Sequence, residues 1–158
     1  MKQLDGVTVR PMETRDLEPA AQFFQRLSPQ ALFRRFFSGG DGGPRHEMAY
    51  LETLDGHDRA ALVAEVDSRL VGMARFHRTE AHRAEVAVVV EDGWQRRGIG
   101  QALMTELTDA ARAEGVDEFD MSILFENGPA LRLLRRLAPH ARSAVVGGII
   151  EASVSLAS

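Results

Sequence analysis

The stretch from Glu85 to Gly100, EVAVVVEDGWQRRGIG, carries two chemistries. The first is anion binding. Gly98 and Gly100 let the backbone curl tightly, with no Cβ to block an approaching ligand. They fall where an apolar run gives way to an amphipathic pattern. Successive N–H groups at such a turn, followed by a helix N-terminus, form a concave donor array with partial positive charge. Arg96 and Arg97 add full positive charge. A pyrophosphate fits this cradle; a tight turn with solvated arginines is the alternative. The second chemistry is proton transfer. Glu85 opens an otherwise apolar run, ten positions before Gln95. Its neighbours Ala84 and Val86 predict a desolvated carboxylate, placed to act as a general base. An exposed carboxylate at a strand end is the competing reading.

Neither common nucleotide motif explains the glycines. A P-loop needs Gly-x-x-x-x-Gly-Lys-Ser/Thr, and Lys2 is the only Lys in the chain. A dinucleotide-binding Gly-x-Gly-x-x-Gly fails because Leu103 stands where its third glycine belongs. The chain has no Cys, which removes disulfides, thiolate ligands and a cysteine nucleophile. His46, His57, His77, His82 and His140 lack metal-ligand spacing, so no metal is expected.

Periodicity supplies the elements that must position these residues. Val7 to Arg10 reads as a strand stopped by Pro11. Asp16 caps a helix to about Leu27, and Ser28-Pro29 opens a second to about Phe37. The glycine-rich segment from Ser38 to Pro44 predicts a mobile loop, a slack connection or a lid. A short helix can follow between Arg45 and Leu54. Ala60 to Val66 and Leu70 to Phe76 form an antiparallel hairpin around Asp67-Ser68-Arg69. Glu85 to Val90 is nearly all apolar, so both faces of this strand should be covered. A helix from about Gly98 ends at Gly115. Phe119, Met121 and Ile123 alternate with Asp120 and Ser122 as another strand. Gly128-Pro129 opens a helix to about Leu137, and Gly147-Gly148 turns a final hairpin. The order predicts an α/β fold with a central mixed, mostly antiparallel twisted sheet of about six to seven strands and about four helices.

Composition narrows the class. At 158 residues, 44% hydrophobic and 27% charged, residues 1–158 read as a single soluble domain. No apolar run approaches the ~18 residues of a membrane span, and the N-terminus lacks a signal-peptide core. The cytoplasm is the expected compartment, with no membrane partner. A net charge of -4 argues against a nucleic-acid partner.

QRRGIG, Gln95 to Gly100, matches the Gln/Arg-x-x-Gly-x-Gly/Ala signature of the GNAT N-acetyltransferase superfamily, and the element order resembles that fold over nearly the whole chain. The downstream Asn-x-x-Ala-x-x-Leu pattern appears as Asn127, Ala130 and Leu133. LSPQALFRRFF, Leu27 to Phe37, resembles a segment of the bacterial protein lysine acetyltransferases, the Pat group. That group often carries a regulatory domain, for which this chain is too short.

The resemblance implies acetyl-CoA as co-substrate. It places the pyrophosphate on Gln95, Arg96, Arg97, Gly98, Ile99, Gly100 and Gln101. Pantetheine would lie along the backbone of Val88 and Val90, with Asn127 and Ala130 on its other side. A glutamate at the place of Glu85 serves as general base. Arg34 and Arg35 would meet the acceptor, with a solvated helix face as the alternative. The implied reaction is direct acetyl transfer to a primary amine, such as a protein lysine on an AMP-forming acyl-CoA synthetase. A small-molecule amine, or a non-catalytic acyl-CoA sensor, are the alternatives. A homodimer is among the expected assemblies. One departure stands out: Leu134 occupies the place where many of these enzymes carry a tyrosine to protonate the leaving thiolate.

Overall fold

Alternation along three central strands decides which side chains meet which helices. The computed structural model describes residues 2–4, 6–36 and 43–156. The elements are β1 (Lys2–Leu4), β2 (Val7–Pro11), α1 (Leu17–Arg26), α2 (Pro29–Phe36), α3 (Pro44–Leu51), β3 (Arg59–Val66), β4 (Arg69–Glu80) and β5 (Arg83–Val90). There follow α4 (Ile99–Ala113), β6 (Glu118–Leu124), α5 (Gly128–Leu137), β7 (Arg142–Val146) and β8 (Ile149–Ser155). The eight strands form one sheet in the order β1-β2-β3-β4-β5-β6-β8-β7. Every neighbour pair is antiparallel except β5 with β6.

Odd and even positions separate two cores. Leu62, Ala64, Ala74, Phe76 and Val86 bury themselves with Ile99, Leu103 and Leu107 of α4. Ala61, Val63 and Met73, from the other face, pack with Phe23, Phe24 and Leu27 around α1. Gly72 brings α4 close: a Cβ there would lie 3.1 Å from Leu103 Cδ1 and 3.3 Å from Ile99 Cγ2. Two tight hairpin turns use residues at positive φ. Asp67 and Ser68, at 49° and 67°, join β3 to β4; Gly147 and Gly148, at 58° and 80°, join β7 to β8.

The fold agrees with the sequence in class and departs from it in four particulars. Among the described residues there are eight strands and five helices, more than the pattern predicts. β1 is three residues long, too short for alternation to register, and Pro44 opens α3 as a full helix. β5 is not covered on both faces: Ala84 and Val86 are buried, but Ala87 to Val90 are only half-buried. The cause is the parallel pairing. β5 and β6 share register only at Arg83↔Glu118, Ala84↔Phe119 and Glu85↔Asp120, and then diverge. Asp16 does stand at the N-cap of α1, but its side chain caps nothing there; it is buried against Arg10, Nη1 to Oδ2 at 2.8 Å and Nη2 to Oδ1 at 2.8 Å. Phe37 and the segment from Ser38 to Gly42 lie outside the described residues.

Candidate active site

The divergence of β5 and β6 opens a gap in the sheet. Arg83 holds its closed end, with Nη1 2.7 Å from Glu118 and Nη2 2.6 Å from Asp120. Beyond Glu85 the edge of β5 has no strand beside it, so its backbone amides face the gap. A cavity of ≈ 440 Å³ occupies this gap and reaches both faces of the sheet. Arg34, Arg35, Glu47, Arg75, Glu85 and Ala87 line it on the α1–α3 face; Val86, Val88, Met104 and Leu134 line it on the α4–α5 face. A groove of ≈ 620 Å³ adjoins it between the N-termini of α4 and α5. The two share Arg34, Arg35, Val88, Asn127, Ala130 and Leu133, so they form one continuous cleft.

The groove's floor is the turn before α4. Gly98 caps the helix at φ 82°, and no side chain among the described residues caps it. The first N–H groups of α4 therefore point at the groove without intrahelical partners. Arg96 also takes positive φ, 64°, a conformation costly for a residue with a Cβ and common where a ligand is clamped. Gly100 lies against Leu133 and Val90, where a Cβ would come within 3.4 Å and 3.9 Å. The residues at this turn fit a pyrophosphate: a left-handed glycine, an uncapped helix start and a flanking arginine.

The structure distributes the expected cofactor residues unevenly. Gln95, Arg96, Gly98, Ile99, Gly100, Gln101, Val88, Val90, Asn127 and Ala130 all line the groove. Arg97 does not; its guanidinium stacks 4.7 Å over the Trp94 ring. Gln95 turns its amide inward, Nε2 donating to the Val90 carbonyl at 3.1 Å, and so ties the turn to β5. Asn127 caps α5, its Oδ1 accepting from the Ala130 N–H at 3.2 Å.

Glu85 stands at the closed end of the gap, exposed to it rather than desolvated. Its apolar neighbours in sequence point to the opposite face, as the period of two requires. Across β4 it faces His77, and across β6 Asp120. Burial, with Arg59 and Arg75, lowers the pKa of His77, which keeps that imidazole uncharged near neutral pH.

Arg34 and Arg35 are not a solvated pair. Arg35 turns inward, Nη2 2.9 Å from Glu47 Oε2, and the same oxygen accepts from Arg75 Nε at 2.7 Å. Burial pushes the Arg35 guanidinium down in pKa, against the pull of Glu47. Arg34 Nε is buried with no hydrogen-bond partner among the described residues. Sequence pattern alone does not single out Glu47 and Arg75. Arg75 leaves only a trace, a charge inside the apolar strand LVGMARF; Glu47 leaves none. Tyr50 cannot replace the missing tyrosine at position 134. Its hydroxyl donates to the Phe76 carbonyl at 2.5 Å, away from the cleft, and burial raises its pKa. No helix among the described residues is long and apolar enough to cross a membrane, and no group of three His, Asp or Glu there is arranged to hold a metal.

A sheet opened at its one parallel pair, with an anion cradle at the mouth of the gap, defines a class of α/β fold. The chain belongs to the acetyltransferase (GNAT) family, whose model matches residues 20–138. It is 33% identical over 134 residues to Acetyltransferase Pat of Mycolicibacterium smegmatis, covering 82% of this chain and 40% of that protein. The GNAT domain of S. lividans PAT superposes with a TM-score of 0.83 at 23% identity, over 94% of this chain and 90% of that one. The structure of yncA from Salmonella typhimurium with its cofactor acetyl-CoA superposes with a TM-score of 0.73 at 18% identity, over 97% and 95%. The chain spans from 25% to 61% of the length of the curated relatives it matches.

Proposed function

We propose that residues 1–158 form one acetyl-CoA-dependent N-acetyltransferase domain that passes acetyl directly to a primary amine, a protein lysine first among them. The observation that carries this reading is the continuous cleft: cradle at one end, free β5 edge in the middle, Glu85 at the other. Similarity to Pat favours the lysine acceptor. An acyl-CoA synthetase of the AMP-forming class is the acceptor to try first, in the cytoplasm, with the enzyme as monomer or homodimer.

In this reading Gly98, Ile99, Gly100 and Arg96 hold the pyrophosphate, and the edge amides of β5 take the pantetheine. A lysine amine of pKa about 10.4 is neutral in only about one molecule in 2,500 at pH 7, an activation cost of about 4.6 kcal/mol. Glu85 accepts the ammonium proton, directly or through water. The freed nitrogen attacks the thioester carbon. A backbone N–H near Val88 meets the developing oxyanion. The C–S bond then breaks as the C–N bond persists, and CoA leaves as a thiolate. With leucine at position 134, that thiolate is released without an acid from that position; a thiolate is a tolerable leaving group near neutrality, far better than an alkoxide. The attacking nitrogen, which carries two protons after addition, gives one to solvent and keeps the other as the amide N–H.

The test is acetyl transfer to purified AMP-forming acyl-CoA synthetases beside a panel of free amines and amino acids. Labelling of a synthetase lysine is expected. Glu85→Gln should lower kcat by roughly 10²–10⁴ while acetyl-CoA affinity stays within a few-fold. Brisk turnover of free amines with no labelled lysine would select the small-molecule reading. Tight acetyl-CoA binding without transfer to any acceptor would select a sensor.

A further inference from the structure

The apolar stripe of α5 is only partly covered: Leu133 packs against the core beside α4, and the rest of the stripe faces the cleft. Ala130, Leu133, Leu134 and Leu137 recur at helical spacing, the pattern of a face that belongs in a core. Yet no residue of α5 is buried. The stripe faces the cleft instead, and its two halves face different parts of it. Ala130 and Leu133 line both the groove and the cavity. Leu134, Leu137 and Ala138 line the cavity alone. At 1.5 Å per residue, Leu134 to Ala138 is about 6 Å of wall beyond the groove.

The rest of that chamber matches. Met104, Phe119, Met121 and Val154 line it from the same face of the sheet. The polar side chains among them are already engaged. Thr108 Oγ1 donates to the Met104 carbonyl at 2.8 Å, and Arg112 Nε to the Leu156 carbonyl at 2.6 Å. Ser122 Oγ donates to Glu151 Oε2 at 2.8 Å. Arg112 Nη1 lies 3.7 Å from Asp109. The wall offers apolar contact, including two adaptable methionines, and little to hold a carboxylate. A single acetyl methyl would leave most of it uncovered.

We propose that this chamber receives the hydrocarbon chain of acyl-CoA donors longer than acetyl, uncharged and of about four to six carbons, the length its wall spans. This inference rests on the acyl-CoA reading above. The transfer is unchanged in its balance: the C–N bond forms, the C–S bond breaks, and CoA leaves as a thiolate; only the chain on the carbonyl carbon grows.

Calorimetry with CoA, acetyl-CoA, butyryl-CoA and succinyl-CoA on the full chain tests it. Each buried methylene should tighten binding about four-fold, so butyryl-CoA should bind at least about ten-fold more tightly than acetyl-CoA. Succinyl-CoA should gain nothing over acetyl-CoA. Leu137→Phe and, separately, Val154→Phe should shrink the butyryl-to-acetyl affinity ratio toward one, and the corresponding ratio of kcat/KM with it. Equal affinity for acetyl- and butyryl-CoA would overturn the chamber, as would a succinyl preference or a ratio that both variants leave intact. Failure of CoA itself to bind would sink the acyltransferase reading, and the chamber with it.

Discussion

Gly98 carries a conformation that no L side chain takes without strain, φ 82°, at the one point where the cradle turns into α4. Gly98→Asp should therefore strain the turn and set a negative charge against an incoming phosphate. Loss of measurable acetyl-CoA binding by calorimetry, with a folded circular-dichroism spectrum, is the expected outcome; near-normal affinity would remove the cradle assignment. This residue was legible in the sequence because glycine spacing reports backbone geometry directly. Side-chain surroundings were less so. The apolar sequence neighbours of Glu85 predict desolvation, but in a strand those neighbours face away. Nothing in QRRGIG distinguishes Arg97 from Arg96, which lines the groove while Arg97 stacks on Trp94. Glu47 lies in a helix whose pattern resembles any surface helix, and only the fold brings Arg35 and Arg75 to it.

Among the elements, long periodic segments were the most legible. The stripe of α4 and the alternation of β6 both follow from residue spacing, and both form as expected. β1 leaves no signal because three residues carry no period, and the apolar run of β5 anticipates pairing that ends after Glu85. The entry to α1 adds a contact that no periodicity reveals. Asp16 and Arg10 form a buried pair, with side-chain exposures of 3% and 9%, and Glu65 completes it. The hydrogen bonds from Arg10 hold the Asp16 carboxyl below the ordinary carboxylate range. A depressed folded pKa gives stability that is complete above the unfolded value of about 3.9 and is lost as pH falls through the folded one. Acidification below about pH 4 should therefore lower Tm in the native chain. Asp16→Asn should cost about 3 kcal/mol at neutral pH, the low end for a broken buried pair, because Glu65 still faces Arg10. That is roughly 6–12 °C in Tm, and the variant should lose less on further acidification. Thermal melts from pH 3 to 7 would show the difference; parallel curves for both proteins would refute it.

At the scale of the whole molecule, class and element order were open to sequence reading, and the cleft was not. A cavity arises where two strands part, and parting is a relation between segments more than thirty residues apart. In the proposed acetyl transfer, the same relation would set how the two substrates meet. The gap opens toward α4 and α5 on one face of the sheet and toward α1 to α3 on the other. A thioester lodged from the first side leaves the second side clear for the amine, and the chain has no Cys on which acetyl could wait. Neither reactant has to vacate the site for the other. Initial velocities measured against varied acetyl-CoA at several fixed amine concentrations should thus give intersecting double-reciprocal lines, the mark of a ternary complex, and parallel lines would contradict it. CoA, leaving by its own face, should compete with acetyl-CoA and not with the amine, so product inhibition is expected to separate the two openings of the sheet.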